Sequence, residues 1–274
     1  WAAEYDFENS IRVRNQLAGG TSAIHGPPAA GTPFFDSTVT AITDLWWNFK
    51  EVPFFGNIKI GNQKEQIGFE HIVSSRFLPF MERSYNQDTF YGGTFNGFVP
   101  GITALNNYGD DDQGCWSLGV YKPMNTVFGY NTGDGDYAVT GRVTRLLWHT
   151  EELDGLLHVG LTGRQASGWS QAGAYYANSA SPGVSPGRVW TFRTRDALRT
   201  GISANWPIPA GITLFGDDLQ WANGELVGVL GPWTMQAEYL VSGYQDARAR
   251  VDGPSVGAVT YHGGYVQVLR FLTG

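Results

Sequence analysis

The stretch NIKIGNQKEQIGFEHIVSSRFLPFMERSYNQDTF, Asn57 to Phe90, decides how the chain is read. It opens with strict alternation: Ile58 and Ile60 point one way, Asn57, Lys59 and Gly61 the other. A period of two requires a strand whose faces meet different surroundings. The run then turns polar through Gln63, Lys64, Glu65 and Gln66, and it ends with Arg76, Glu82 and Arg83 set among Phe77, Leu78, Phe80 and Met81. Charges interleaved with bulky apolar groups do not make a freely solvated connection. This second half is therefore expected to pack against another part of the protein.

The rest of the composition suits a chain of many strands. Gly occurs 37 times in 274 residues, about twice the usual share. Ten Trp, 13 Tyr and 16 Phe accompany it, while charged residues fall to 16%. The mean hydropathy is slightly negative, as a membrane barrel permits when only alternate residues meet lipid. No run of roughly 18 apolar residues exists, which excludes a transmembrane helix but not a barrel. The charge-free segments 89–109, 165–187 and 253–269 are each interrupted by Gly, Pro, Asn or Ser and read as loops or short strand pairs. Trp1 is followed closely by Glu4, Asp6 and Glu8, so no signal peptide is visible, as in a mature chain. The single Cys115 forms no intrachain disulfide and reads as a small thiol on a strand. A net charge of -7 without a basic stripe argues against nucleic acid.

Taken in order, the N-terminal arm alternates Ile11 and Val13 against Arg12 and Arg14, and residues 18–37 form a Gly- and Pro-rich loop. Trp47 and Phe49 supply apolar positions before a turn at Pro53. Residues 91–114 read as a glycine- and asparagine-rich connection ending in three aspartates. Strands are expected at 115–121, 137–149, 156–163, 189–195, 199–206, 211–216, 225–229 and 233–243. In the second of these, Thr140, Arg142 and Thr144 share a face, and Arg145 breaks the register, which a bulge near it or the approach to the membrane interface would accommodate. Residues 137–149 and 156–163 form a hairpin about Asp154-Gly155. In the last strand, Trp233, Met235, Ala237, Tyr239 and Val241 oppose Thr234, Gln236, Glu238 and Ser242. A sandwich would turn the apolar row inward, a transmembrane barrel would turn it to lipid. Runs of about 9–11 residues with Trp or Tyr near one end favour the second.

The run IKIGNQKEQIGFE followed by SSRFLPFMERS, then GPWTMQAEYL at 231–240 and GGYVQVLRFLTG at 263–274, resembles in order the strands of the phosphate-selective porin family of outer-membrane proteins. The resemblance spans about residues 45 to 274. It implies an all-β, transmembrane antiparallel β-barrel of about sixteen strands, of which about ten to twelve can be placed here. Residues 1–274 then form a single porin-like barrel domain lacking its C-terminal strands. It further implies an outer-membrane location in a Gram-negative-type bacterium, contact with lipid or lipopolysaccharide, a homotrimer, and passive diffusion of small anions or other small hydrophilic solutes, phosphate among them.

Basic side chains on wet faces are the candidates for an anion path: Arg12, Arg14, Lys59, Lys64, Arg76, Arg83, Arg142, Arg193 and Arg195. By resemblance, residues 71–90 form an inward-folded loop that narrows the pore. That loop would bring Arg76, Glu82 and Arg83 to the path and anchor itself through Phe77, Phe80 and Tyr85. With only 18 Lys plus Arg, a general anion or small-solute channel fits better than a phosphate-specific one. No cofactor, metal ligand set or catalytic residue is expected: His149, Glu151 and Glu152 lack the HExxH spacing, and no GxGxxG, GxxxxGK or GxSxG occurs. The competing reading is a soluble β-rich glycan-binding protein or glycoside hydrolase, with Asp217 and Glu225 or Glu238 as paired carboxylates. In that protein the apolar rows would be interleaved between two sheets.

Overall fold

In a computed structural model, the described residues are 2–15, 35–80, 82–90, 98–122, 137–152, 154–167, 189–194, 208–215, 218–248 and 253–272. Seven strands follow one another as antiparallel neighbours: β1 (Ala2–Asn15), β2 (Phe35–Val52), β3 (Gly56–Lys64), β4 (Phe98–Tyr108), β5 (Gly114–Tyr121), β6 (Tyr137–Thr150) and β7 (Gly155–Ser167). A separate hairpin, β8 (Val189–Thr194) with β9 (Ile208–Phe215), comes next. The main sheet then resumes with β10 (Asp218–Leu230), β11 (Trp233–Ala247) and β12 (Gly257–Arg270), and β10 pairs directly with β7. Ten strands thus form one sheet, within the expected range.

The connections alternate in length. Those at 53–55, 109–113, 151–154 and 231–232 are tight, whereas those at 16–34, 65–97, 122–136, 168–217 and 248–256 are longer. Because consecutive strands run antiparallel, all the tight turns fall at one end of the sheet and all the longer connections at the other. That is the signature of a barrel that crosses a membrane. Asp154 adopts a left-handed conformation in its turn, with φ 43°, as short polar residues tolerate. The hairpin expected about Asp154-Gly155 is present, and β6 carries a register shift between Leu146 and Trp148, close to Arg145, so that of the two ways to accommodate the break there the structure has an irregularity in the ladder.

The two faces of the sheet are inverted relative to a water-soluble protein. Along β11, Trp233, Met235, Tyr239 and Val241 are exposed, while Gln236, Glu238, Leu240 and Ser242 are buried. The same parity crosses the ladders: Leu161 is 59% exposed and Val266 71%, but Thr162 is 2%, Thr140 0% and Asn223 1%. Ile60, Ile102 and Val120 are register neighbours on the apolar side, and all three are exposed. Apolar rows of this kind are uncovered because hydrocarbon is their solvent. They are not interleaved with a second sheet, which removes the geometry of the competing soluble sandwich. Trp47, Phe49, Trp148 and Trp233 cluster near the tight turns and are also exposed, the placement of an interfacial aromatic girdle. The Arg270 guanidinium lies 5.3 Å from the Trp233 ring centre there, an arrangement suited to headgroup depth.

Two readings of the sequence change. Residues 91–114, read as a connection, contain the whole of β4, and the charge-free segment 253–269 lies largely in β12. Both were hidden by Gly, Asn and Pro, which a ladder tolerates where an aromatic covers the gap. A Cβ at Gly101 or Gly119 would strike the Tyr121 ring, at 2.3 and 2.5 Å. The strands expected around 189–195 and 211–216 exist as β8 and β9, but they pair with each other and lie outside the ten-stranded ladder. The strand expected at 199–206 falls outside the described residues.

Placing Arg at Leu161, mid-strand on the apolar face, is expected to destabilise the protein in lipid vesicles by about 2–4 kcal/mol, against about 0–1 kcal/mol for Gln245→Arg near a strand end. Urea titration of vesicle-folded protein measures both.

Candidate functional site

The polar face is where chemistry-bearing side chains collect, and residues 65–90 fold down onto it. Two short helices form in this segment, α1 (Phe69–Ile72) and α2 (Tyr85–Phe90). Neither would hold alone, since isolated helices of this length do not form in water. Tertiary contacts hold them. Ile67 and Phe90 are 2% exposed and pack with Ala138, Ala166, Leu219, Trp221, Leu240 and Tyr244 on the face toward the longer connections. Gly263 leaves the space for α2: a Cβ there would stand 3.1 Å from the Phe90 ring and from the Asn86 amide oxygen.

Polar contacts complete the docking. Gly68 precedes α1 and offers no side-chain cap. The cap comes from the wall, where the Glu238 carboxylate accepts from the backbone N–H of Phe69 at 2.7 Å and of Glu70 at 3.1 Å. The same carboxylate accepts from Asn223 Nδ2 at 3.1 Å and from the Tyr265 hydroxyl at 2.6 Å. Four donors thus satisfy this buried carboxylate. Glu65, at the start of the segment, accepts from Arg164 Nε at 2.7 Å and from the Thr140 hydroxyl. Arg164 also lies 4.5 Å from the Trp221 ring centre. Within the segment, Glu70 accepts from Ser84 N at 2.9 Å and Ser84 Oγ at 2.5 Å, and Arg83 donates to the carbonyls of Glu70 at 3.0 Å and Val73 at 2.8 Å. Lys64 Nζ donates to the carbonyls of His71 and Val73 at 3.1 and 3.4 Å.

Beside this docking site lies a second cluster. Glu225 on β10 is the register partner of Glu238, an arrangement of like charges that is unfavourable unless each is compensated. Glu225 is compensated by Arg142, through Nη2 at 2.5 Å and Nε at 3.2 Å, and by His158 Nε2 at 2.8 Å. Glu225 and Glu238, either of which a glycosidase reading would pair with Asp217, are therefore each engaged by the wall or the docked segment, and Asp217 lies outside the described residues. Among the described residues, no group of three His, Cys, Asp or Glu side chains is disposed to hold a metal.

The sequence candidates divide accordingly. Arg142 faces the polar side and joins Glu225. Lys59 lies on that side too, its amine 4.1 Å from the Trp46 ring centre. Lys64 and Arg83 belong to the segment's own hydrogen bonding. Arg76 is exposed in a short 3-10 turn (Ser75–Phe77), and Glu82 is half-buried. Arg12, Arg14 and Arg193 lie on β1 and β8, whose side chains are outside the described set, as is Arg195 altogether. Phe77, Phe80 and Tyr85, expected as anchors, are exposed at 78%, 54% and 51%, and Ile67 and Phe90 anchor the segment instead. Sequence reasoning did not single out Arg164 or His158. The available signal was parity: Thr162 and Arg164 alternate with Leu161 and Gly163 along β7 as wet with dry.

A sheet that is apolar outside, polar inside and carries a segment folded onto its polar face defines an outer-membrane β-barrel channel. The family model for phosphate-selective porins O and P matches residues 35–274, and the chain belongs to that family. No curated protein matches the chain significantly. Membership carries with it a bacterial outer-membrane location and a channel function.

Replacing Glu238 by Ala removes four acceptor contacts and is expected to weaken docking of residues 66–90 by about 2–4 kcal/mol while β11 stays in its ladder. Hydrogen exchange should accelerate at Phe69 and Glu70 and remain slow along β11.

Proposed function

We propose that the protein is a passive diffusion pore for small hydrophilic solutes, with a general preference for anions, in the outer membrane of a Gram-negative-type bacterium. Residues 65–90 serve as its constriction. One observation carries the reading: Glu238 and Arg164, from two separate wall strands, bind the start of this segment against the polar face. A connection left in solvent would need no such fastening. Solute passes through water, the docked segment sets the size limit, and charges on the wall bias entry.

Family membership supports the homotrimer and the lipid or lipopolysaccharide contacts in this reading, and the exposed apolar rows supply the surface they would use. Lipid leaves no open sheet edge satisfied. The reading therefore includes a single closed barrel domain to which residues 1–274 contribute. Phosphate among the solutes is compatible with Arg142 on the polar face but needs no dedicated binder. The protein performs no covalent chemistry in this role.

Purified protein in planar bilayers is expected to form ion-conducting pores, and Glu238→Ala, by loosening the constriction, to raise single-channel conductance and admit larger sugars in liposome-swelling assays. Unchanged conductance and cutoff would remove residues 65–90 from the pathway. Arg142→Ala is expected to lower anion over cation permeability, read as the reversal potential in a salt gradient.

A further inference from the structure

Glu225 reaches Arg142 by an unusual route. It stands on β10, Arg142 stands on β6, and β7 runs between them. The β7 residue directly opposite Glu225 is Gly160, and a Cβ there would come within 2.4 Å of Glu225 Oε1. The missing side chain opens a passage along the wall, and the carboxylate lies across it. His158, also on β7, closes on the same oxygen. The exposures are then ordered: the Glu225 side chain is 0% exposed, Arg142 13% and His158 18%. A solute at this level meets the edges of a guanidinium and an imidazole, with the carboxylate behind them.

We infer that Glu225 is a specificity-determining residue of the pore, a recessed counter-charge that cancels Arg142. The inference rests on the channel reading above. The guanidinium and the carboxylate sum to zero, so the level is held close to indifference to the sign of a passing ion. Without the carboxylate the exposed edge of Arg142 would favour small anions, phosphate and carboxylates included. The other charged or titratable groups facing the cluster are Glu238 on β11, Tyr265 on β12, Cys115 on β5 and Glu70 on α1, whose neighbour Phe69 lies 5.8 Å from His158, ring centre to ring centre. Glu238 is engaged by four donors of its own, whereas Glu225 is held by Arg142 and His158.

The test is the anion-to-cation permeability ratio of the full protein in planar bilayers, from reversal potentials in a potassium chloride gradient. Glu225→Gln should raise the ratio roughly two-fold or more by uncovering Arg142. A Glu225→Gln ratio equal to wild type overturns the role of Glu225. Absence of any conductance would instead overturn the channel reading itself, and this inference with it.

Discussion

A strand in hydrocarbon can send its N–H and C=O groups nowhere except to the next strand. That constraint organises this protein. It demands a continuous ladder, and the ladder demands antiparallel neighbours joined at alternating ends, as the tight and long connections show. It also leaves each residue only two directions, toward lipid or away from it. The apolar side chains of β4 to β7 and of β10 to β12 accept the first. The polar ones, with nothing else to solvate them, gather on the second side and find one another.

From that gathering comes the docked segment. A short helix such as α1 cannot form alone, and a carboxylate such as Glu238 cannot be buried without donors. Each supplies what the other lacks: two unpaired backbone donors meet two carboxylate oxygens. Ile67 and Phe90 add the apolar share of the contact. The same carboxylate also ties β11 to Asn223 on β10 and Tyr265 on β12, so fastening the segment and bracing the wall are one set of bonds.

Much of the wall was legible in the sequence, because alternation is local. Thr140, Arg142 and Thr144 on one face of β6, the turn at Asp154, and the opposed rows of β11 follow from period two and turn chemistry alone. β4 was not legible: Pro100, Gly101, Asn106 and Asn107 carry loop signals, and what overrides them is Tyr121, twenty residues on, lying over Gly101. β8 and β9 illustrate the converse, since alternation identifies a strand but not its partner. Of the site, Arg142 could be placed by parity. Its partner could not, because Glu225 lies 83 positions away and reaches it over a glycine. Contacts such as Phe69 to Glu238, 169 positions apart, have no local trace at all.

The direct ladder between β7 and β10 has a consequence for how such a protein changes over generations. The register from Gly155 to Ser167 against Asp218 to Leu230 is set by thirteen consecutive residue pairs and owes nothing to residues 168–217 between them. The entropy of closing that interval grows slowly, by about 0.6 kcal/mol for each doubling of its length. Lineages can therefore lengthen, trim or exchange this interval at little thermodynamic penalty to the frame, whose alignment does not depend on it.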